Sequence, residues 1–252
     1  VIRARTPITM TAAATTTMAA PITISAHVPL KFRHEQKHQL SLQEGLVLSA
    51  RLKRLFALDP HAGHDGSYSV HSLYFDTPYD RALREKIDGV DRREKFRLRY
   101  YGTDASFVRL EKKMKRGGLC AKRSTRLSEA MLQELLKGNH ACLRESDDPL
   151  LLELYSKLQG ELLRPVCVVS YEREAFLYPH GNVRITLDRK IQTVAVRHFL
   201  HPSPPSLSVL ADICVLEVKY DAYLPTIVSM AVQVPGRQAM ACSKYALCRR
   251  FD

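Results

Sequence analysis

Arginine and lysine recur at alternate positions in five segments of this chain, in company with single carboxylates. Arg33, Glu35 and Lys37 stand two apart, as do Arg97 and Arg99, then Arg109, Glu111 and Lys113, then Arg184, Thr186 and Asp188, and finally Glu217 and Lys219. Tyr171 with Arg173, and Lys122 with Ser124, repeat the spacing. A two-residue period is that of a β-strand, whose successive side chains point to opposite faces. Each segment therefore predicts a strand with one charged face, backed by apolar residues such as Phe96, Leu98 and Tyr100, or Val183, Ile185 and Leu187. Arginine suits phosphate, because its planar fork binds oxygens in pairs and stays protonated. Glu35, Glu111 and Glu217 are hard oxygen donors of the kind that hold Mg2+ or Mn2+ against phosphate oxygens, Glu217 foremost. Their other role is to pair with Lys37, Lys113 and Lys219, each two positions further on.

A sheet with one face in water would alternate in the same way. Solvent faces, however, mix Lys with Glu, Thr, Gln and Ser, whereas these repeat Arg and Lys with few acids between them. About eight strands closed with the polar face inward leave a lumen just wide enough for side chains or one small ligand. Two unit charges about 4 Å apart interact by roughly 4 kcal/mol at an effective dielectric of about 20, so such a lumen calls for a polyanion. Triphosphate or a longer polyphosphate meets that need.

The elements that would position these residues can be read along the chain. Strands are expected over Phe32–Lys37, Val70–Phe75, Glu94–Tyr101, Phe107–Met114, Leu119–Leu127, Val166–Leu177, Val183–Val194 and Ile213–Tyr220, with Gly117 and Gly118 as a hairpin turn. Ser41 and Glu44 form a capping box that opens an amphipathic helix to about Phe56. Thr77 and Pro78 predict an N-cap and first helical turn for a short helix ending near Asp88 and Gly89. Further helices are expected over Ser128–Lys137, over Pro149–Leu163 and after Leu224. The class is α+β, an eight-stranded antiparallel tunnel with helices packed outside.

Composition sets the outer bounds. At 252 residues, with 45% hydrophobic and 25% charged, the chain is neither disordered, collagen-like nor coiled coil. Thirty-eight Lys and Arg against 26 Asp and Glu leave +12, which points to phosphates, nucleic acid or an anionic membrane. Residues 1–30, rich in Ala, Thr and Pro, predict a disordered leader to a single domain over 31–252. The longest apolar run, Leu207 to Val218, is broken by Asp212 and Glu217, so no transmembrane helix is expected. Six cysteines without a CxxC pair read as reduced thiols in a cytoplasmic protein. His61 and His64 read as a solvated glycine loop, and Cys242 as a small buried residue on a helix. Neither a nucleophile triad nor a nucleic-acid motif is present, so no nucleic-acid partner is expected.

Seven segments in order carry a resemblance: Arg33-His34-Glu35-Gln36-Lys37, Ser72-Leu73-Tyr74-Phe75-Asp76, Lys95-Phe96-Arg97-Leu98-Arg99-Tyr100, Arg109-Leu110-Glu111-Lys112-Lys113, Val183 to Asp188, Leu216-Glu217-Val218-Lys219 and Ser243-Lys244-Tyr245. Together, over about residues 31 to 250, the chain resembles the catalytic domain of the vacuolar transporter chaperone family, the polyphosphate polymerase branch of the triphosphate tunnel metalloenzymes. The resemblance implies transfer of the γ-phosphoryl group of ATP to a polyphosphate chain, with Mn2+ or Mg2+ as cofactor. It implies phosphate contacts from Lys37, Arg97, Arg99, Lys113, Lys122, Arg173, Arg184 and Lys244, with Glu217 as metal ligand. Arg97, Arg99, Lys113, Arg173 and Arg184 are the expected catalytic set. Arg33, Lys37, Arg109, Lys122, Lys219 and Lys244 are expected to bind substrate, with Glu35 and Glu111 assisting Glu217 at the metal. Arg33 replaces the leading glutamate of the signature typical of the cyclase and thiamine triphosphatase branch, which favours the polymerase. Ala241 stands where fungal polymerases tend to carry a second lysine. Partners are then ATP and polyphosphate, with any membrane coupling left to a separate protein. A tunnel triphosphatase and a non-catalytic polyphosphate or inositol-phosphate binder remain as alternatives.

Overall fold

A computed structural model describes residues 30–251. The expected leader, residues 1–30, falls almost entirely outside these. Ten strands form one antiparallel sheet: β1 (His34–Ser41), β2 (Ala57–Leu58), β3 (Ser67–Asp76), β4 (Arg93–Tyr101), β5 (Asp104–Arg116), β6 (Leu119–Arg126), β7 (Arg164–Tyr178), β8 (Val183–Val194), β9 (Ser206–Leu210) and β10 (Ile213–Tyr220). Eight of them run in the order β1-β10-β8-β7-β3-β4-β5-β6, while β2 and β9 are short additions on β7 and β8. The sheet curls until its two edges meet at one bridge, where the backbone N–H groups of Arg33 and Cys120 each donate to the other's carbonyl at 2.9 Å. The sequence predicted the eight; β2 and β9, too short to show a period, it did not.

Helices α1 (Leu42–Leu55), α3 (Glu129–Leu136), α4 (Ala141–Arg144), α5 (Pro149–Gly160) and α6 (Thr226–Ala231) cover the convex face, whereas α2 (Arg81–Ile87) borders the concave side, with Leu83 packed into the inner apolar cluster. The capping box of α1 is formed, Ser41 N–H donating to Glu44 at 2.7 Å and Glu44 N–H to the Ser41 hydroxyl at 3.2 Å. Phe96, Leu98 and Leu110 pack outward against Leu132, Leu154 and Leu158 of α3 and α5. Ile185, Leu187, Leu216 and Val218 do the same against Leu48 and Leu52 of α1. The apolar half of each alternating strand thus buries against a helix, and the charged half is left on the concave side.

Two local expectations are corrected. The helix predicted from Thr77 and Pro78 begins at Arg81, because Asp80 adopts a left-handed conformation and breaks the first turn. Asp76, buried at the end of β3, instead accepts the N–H groups of Thr77, Ala82 and Leu83 at 2.8, 2.8 and 3.0 Å. Cys242 is buried but precedes α7 (Lys244–Cys248) rather than lying on a helix.

Helix α7 lies on the concave side. Tyr245 and Cys248 pack with Val70, Val169, Ile191 and Val215, so part of the inner face is apolar and covered by the end of the chain. The segment leading to it is held by β1, where the Met240 N–H donates to the Lys37 carbonyl at 2.8 Å. The lumen is therefore only partly lined by charge.

Gly45 lies in the buried stripe of α1, where an added Cβ would stand 2.7 Å from Cys214 Cβ. Gly45→Ala gains about 1 kcal/mol of helix propensity, but overpacking costs about 1–3 kcal/mol. The expected result is a net loss of stability, measured as a lower midpoint in chemical unfolding.

Candidate functional site

Two chambers open on the concave side. The wider, about 380 Å³, is lined by twelve lysines and arginines and by two glutamates, Glu35 and Glu217. The second, about 330 Å³, adds Lys86, Arg93 and Lys115 and is walled on one side by residues 239–243. Glu35, Lys37, Lys95, Lys113, Cys120 and Ser243 line both, so the chambers meet there.

Strand register explains how distant residues converge. Pairing of β1 with β10 sets Lys37 opposite Glu217 and Glu35 opposite Lys219. Lys37 Nζ lies 3.0 Å from Glu35 and 3.2 Å from Glu217, and Lys219 lies 2.6 Å from Glu217. Lys113 reaches Glu35 from β5 across the lumen at 2.7 Å. Burial and the neighbouring Glu217 oppose ionisation of Glu35, yet Lys37, Lys113 and Lys219 outweigh them and hold its carboxyl well below the usual range. Burial likewise opposes ionisation of Glu217, and Lys219, Lys37, Lys113 and Arg173 overcome it. Both carboxylates stay charged, and the pair holds Lys37 protonated far above the ordinary lysine value against the cost of burial.

The other cations are fixed by acids set into the wall. Asp188, with no exposed surface, accepts Arg173 through two bonds of 2.7 and 2.8 Å and also Lys244 at 2.6 Å. Lys244 comes from the N-terminus of α7, which is how a residue outside the strands joins the strand-borne set. Arg184 pairs with Asp59 at 2.5 Å and with the Tyr68 hydroxyl at 2.8 Å. Arg99 donates to the Ser72 hydroxyl at 2.9 Å and to Tyr171 at 3.1 Å. Arg33 sits at the rim, 2.9 Å from Asp221.

Two residues singled out from the sequence are placed differently. Glu111 lines neither chamber; it is wholly buried, its oxygens taken by Arg97 at 2.8 and 2.6 Å and by Lys122 at 2.7 Å. It is a counter-ion for those side chains and, unlike Glu35 and Glu217, does not face the lumen from which a metal would be bound. Arg109, midway along β5 and opposite Arg99 in the β4–β5 register, borders neither chamber; its guanidinium lies 4.9 Å from the Phe107 ring centre.

The structure adds residues the sequence reading passed over. Lys95 shares the inward face with Arg97 and Arg99, and alternation alone would have found it. Tyr74 and Tyr245 flank its ammonium, with ring centres 5.2 and 5.3 Å away. Tyr74 also accepts Arg97 at 2.9 Å. Burial opposes ionisation of the Tyr74 hydroxyl, but Arg97, Lys95 and Arg99 prevail and bring it down to about 7. His61 and His64 are exposed, and no disulfide joins the described cysteines.

Among the described residues no three His, Cys, Asp or Glu side chains cluster to hold a metal. Glu35 and Glu217 nevertheless fit Mg2+ or Mn2+. Such an ion commonly takes one or two carboxylates and completes its shell with water and phosphate oxygens. Both glutamates are ionised, face the chamber and already share one cation.

A family model described as the VTC domain matches residues 32–251. No curated protein matches the chain. Among solved structures, a Hippeastrum protein described as an adenylyl cyclase candidate with a dominant triphosphatase activity is 16% identical. It covers 87% of this chain and 96% of its own, with a TM-score of 0.55. A Bacillus halodurans protein described as an adenylate cyclase candidate is 13% identical over 80% of this chain and 84% of its own, with a TM-score of 0.48. The likeness to the Hippeastrum protein is one of fold, and it extends to the curled eight-stranded sheet with helices outside. Among the described residues no helix is long and apolar enough to cross a membrane.

Glu111→Gln removes the charge that balances Arg97, Arg99 and Lys122. Breaking a buried ion pair costs about 3 kcal/mol or more, so thermal unfolding is expected at lower temperature. Added tripolyphosphate should restore much of the loss, because it replaces the missing negative charge from the lumen side.

Proposed function

We propose that this chain, which belongs to the VTC domain family, is a triphosphate tunnel enzyme, and specifically a polyphosphate polymerase using ATP. The observation that carries the finer reading is the meeting of two cationic chambers at Glu35, Lys37, Lys95 and Lys113. A hydrolase needs one anion site and a water. A polymerase needs two, end to end, one for the donor triphosphate and one for the acceptor chain.

In this reading the triphosphate of ATP lies in the wider chamber. Arg97, Arg99, Arg173 and Arg184, held from behind or from the side by Glu111, Ser72, Asp188 and Asp59, present their donors without having to reorganise. Lys122, Lys219, Lys244 and Arg33 complete the phosphate contacts, and Lys113 with Lys37 stands where donor and acceptor meet. Glu217, with Glu35, is the pair that would hold Mn2+ or Mg2+. When bound, such an ion neutralises phosphate charge and draws the lysines' attraction from the glutamates to the substrate. Phosphoryl transfer between ionised phosphates needs alignment and charge neutralisation and no general base, which agrees with a lumen holding arginine and lysine but no paired nucleophile and base. Residues 31–252 act as one such domain.

A tunnel triphosphatase is the second reading, favoured by the fold shared with the Hippeastrum protein. Incubation of the purified chain with ATP and Mn2+ separates the two. Acid-insoluble polymer that forms a ladder on a polyphosphate gel supports the polymerase; free phosphate without polymer refutes it. Glu217→Gln is expected to abolish metal-dependent turnover while circular dichroism stays native, and retained full activity would remove Glu217 from the metal.

A further inference from the structure

The twelve cations of the wider chamber are not equally balanced. Eleven lie within 4.0 Å of a carboxylate. Lys95 is the exception among the described residues: its ammonium faces the Tyr74 and Tyr245 rings and makes no ion pair. It stands opposite Lys113 in the β4–β5 register and lines both chambers. Lys95 is half-buried, and a partly desolvated charge without a partner is costly; a cation in such a place is pre-positioned for an anion that no carboxylate of the described residues supplies.

We propose that Lys95 is a catalytic residue that grips the phosphoryl group in transit between the two chambers, touching both the transferred phosphorus group and the terminal phosphate of the acceptor. The inference rests on the polymerase reading and deepens it. In the step, the bond between the γ-phosphorus and the β–γ bridging oxygen breaks, and ADP leaves with that electron pair on its terminal oxygen. A bond forms from an ionised terminal oxygen of the acceptor to the γ-phosphorus. No proton need move, and the negative charge that crosses the junction passes Lys95.

The groups facing the ammonium are Tyr74 from β3, Tyr245 from α7, Arg97 from its own strand, Lys113 from β5 and Lys37 from β1. Burial, joined by Lys113, Lys37 and Arg97 and offset in part by Tyr74, brings Lys95 down to about 8. It is charged below that value and neutral above it, so phosphate binding at the junction weakens as pH rises past about 8. Arginine at this position would stay protonated throughout.

Three measurements on Lys95→Met and Lys95→Arg test this. The ligand-free Lys95→Met protein should unfold at an equal or higher temperature than the parent, since an unbalanced cation has been removed. Its affinity for inorganic tripolyphosphate at pH 7, read by calorimetry, should fall about tenfold, in line with loss of one charge-assisted contact. Its polymerisation rate should fall about 100-fold, as when one transition-state donor is removed, a larger loss than any rise in the KM for ATP, which should not exceed about tenfold. Lys95→Arg should restore most of the binding and rate and should lose the component of the alkaline fall near pH 8, keeping only that of Tyr74 near pH 7. A Lys95→Met protein that matches the parent in both affinity and rate, or a component near pH 8 that persists in Lys95→Arg, overturns the inference. The polymerase reading fails separately, if the parent protein releases only free phosphate from ATP; the affinity and pH arms then still decide Lys95.

Discussion

Like charge held in a confined space is the constraint around which this molecule is arranged. Twelve lysines and arginines face one chamber with only two carboxylates among them. The fold tolerates this because further acids are sunk into the wall. Asp188 serves Arg173 and Lys244, Glu111 serves Arg97 and Lys122, and Asp59 serves Arg184. These acids are deeply buried, and for Glu111 and Asp188 burial alone would favour the neutral form. Their partners reverse that preference and keep the carboxyls of Glu111 and Asp188 below the usual range. Each arginine is thus oriented before any substrate arrives, while the sum over the lumen stays strongly positive.

The two faces of the sheet divide the work. Outward side chains, packed on α1, α3 and α5, hold the curl; inward side chains carry the charge. A one-residue slip in any strand would exchange the two sets, so the apolar core also enforces the register on which the site depends. The sheet edges are joined by backbone at the Arg33–Cys120 bridge, and Lys113 of β5 ties to Glu35 of β1 across the lumen. The end of the chain then divides the concave space: α7 fills one part with Tyr245 and Cys248, delivers Lys244 to the wider chamber, and leaves residues 239–243 as a wall of the second.

Much of this was legible in the residues. Alternation over Phe96 to Tyr100 and over Val183 to Asp188 marked the strands and their charged faces, and the capping box at Ser41 marked α1. Lys95, two positions before Arg97, was equally legible by spacing. The misplacements have a common cause. Glu111 shares a face with Lys113 and so looks lumenal. A side chain short of the lumen surface becomes a counter-ion instead of a ligand, and depth is not encoded in parity. Arg109 fails in the same way along the strand, since alternation says which face a residue takes but not how far from the chamber it stands.

By itself the sequence determined the identity of the strands, the hand each residue shows to core or lumen, and the excess of positive charge that calls for phosphate. These are local properties, set by the two-residue period of an extended backbone and by side-chain chemistry. Which carboxylate neutralises which cation, that Lys95 has none, that the end of the chain enters the concave face, and that two chambers meet there were decided only in three dimensions. They depend on contacts between strands far apart in the chain, such as Lys113 with Glu35, and on how far the sheet curls before its edges join.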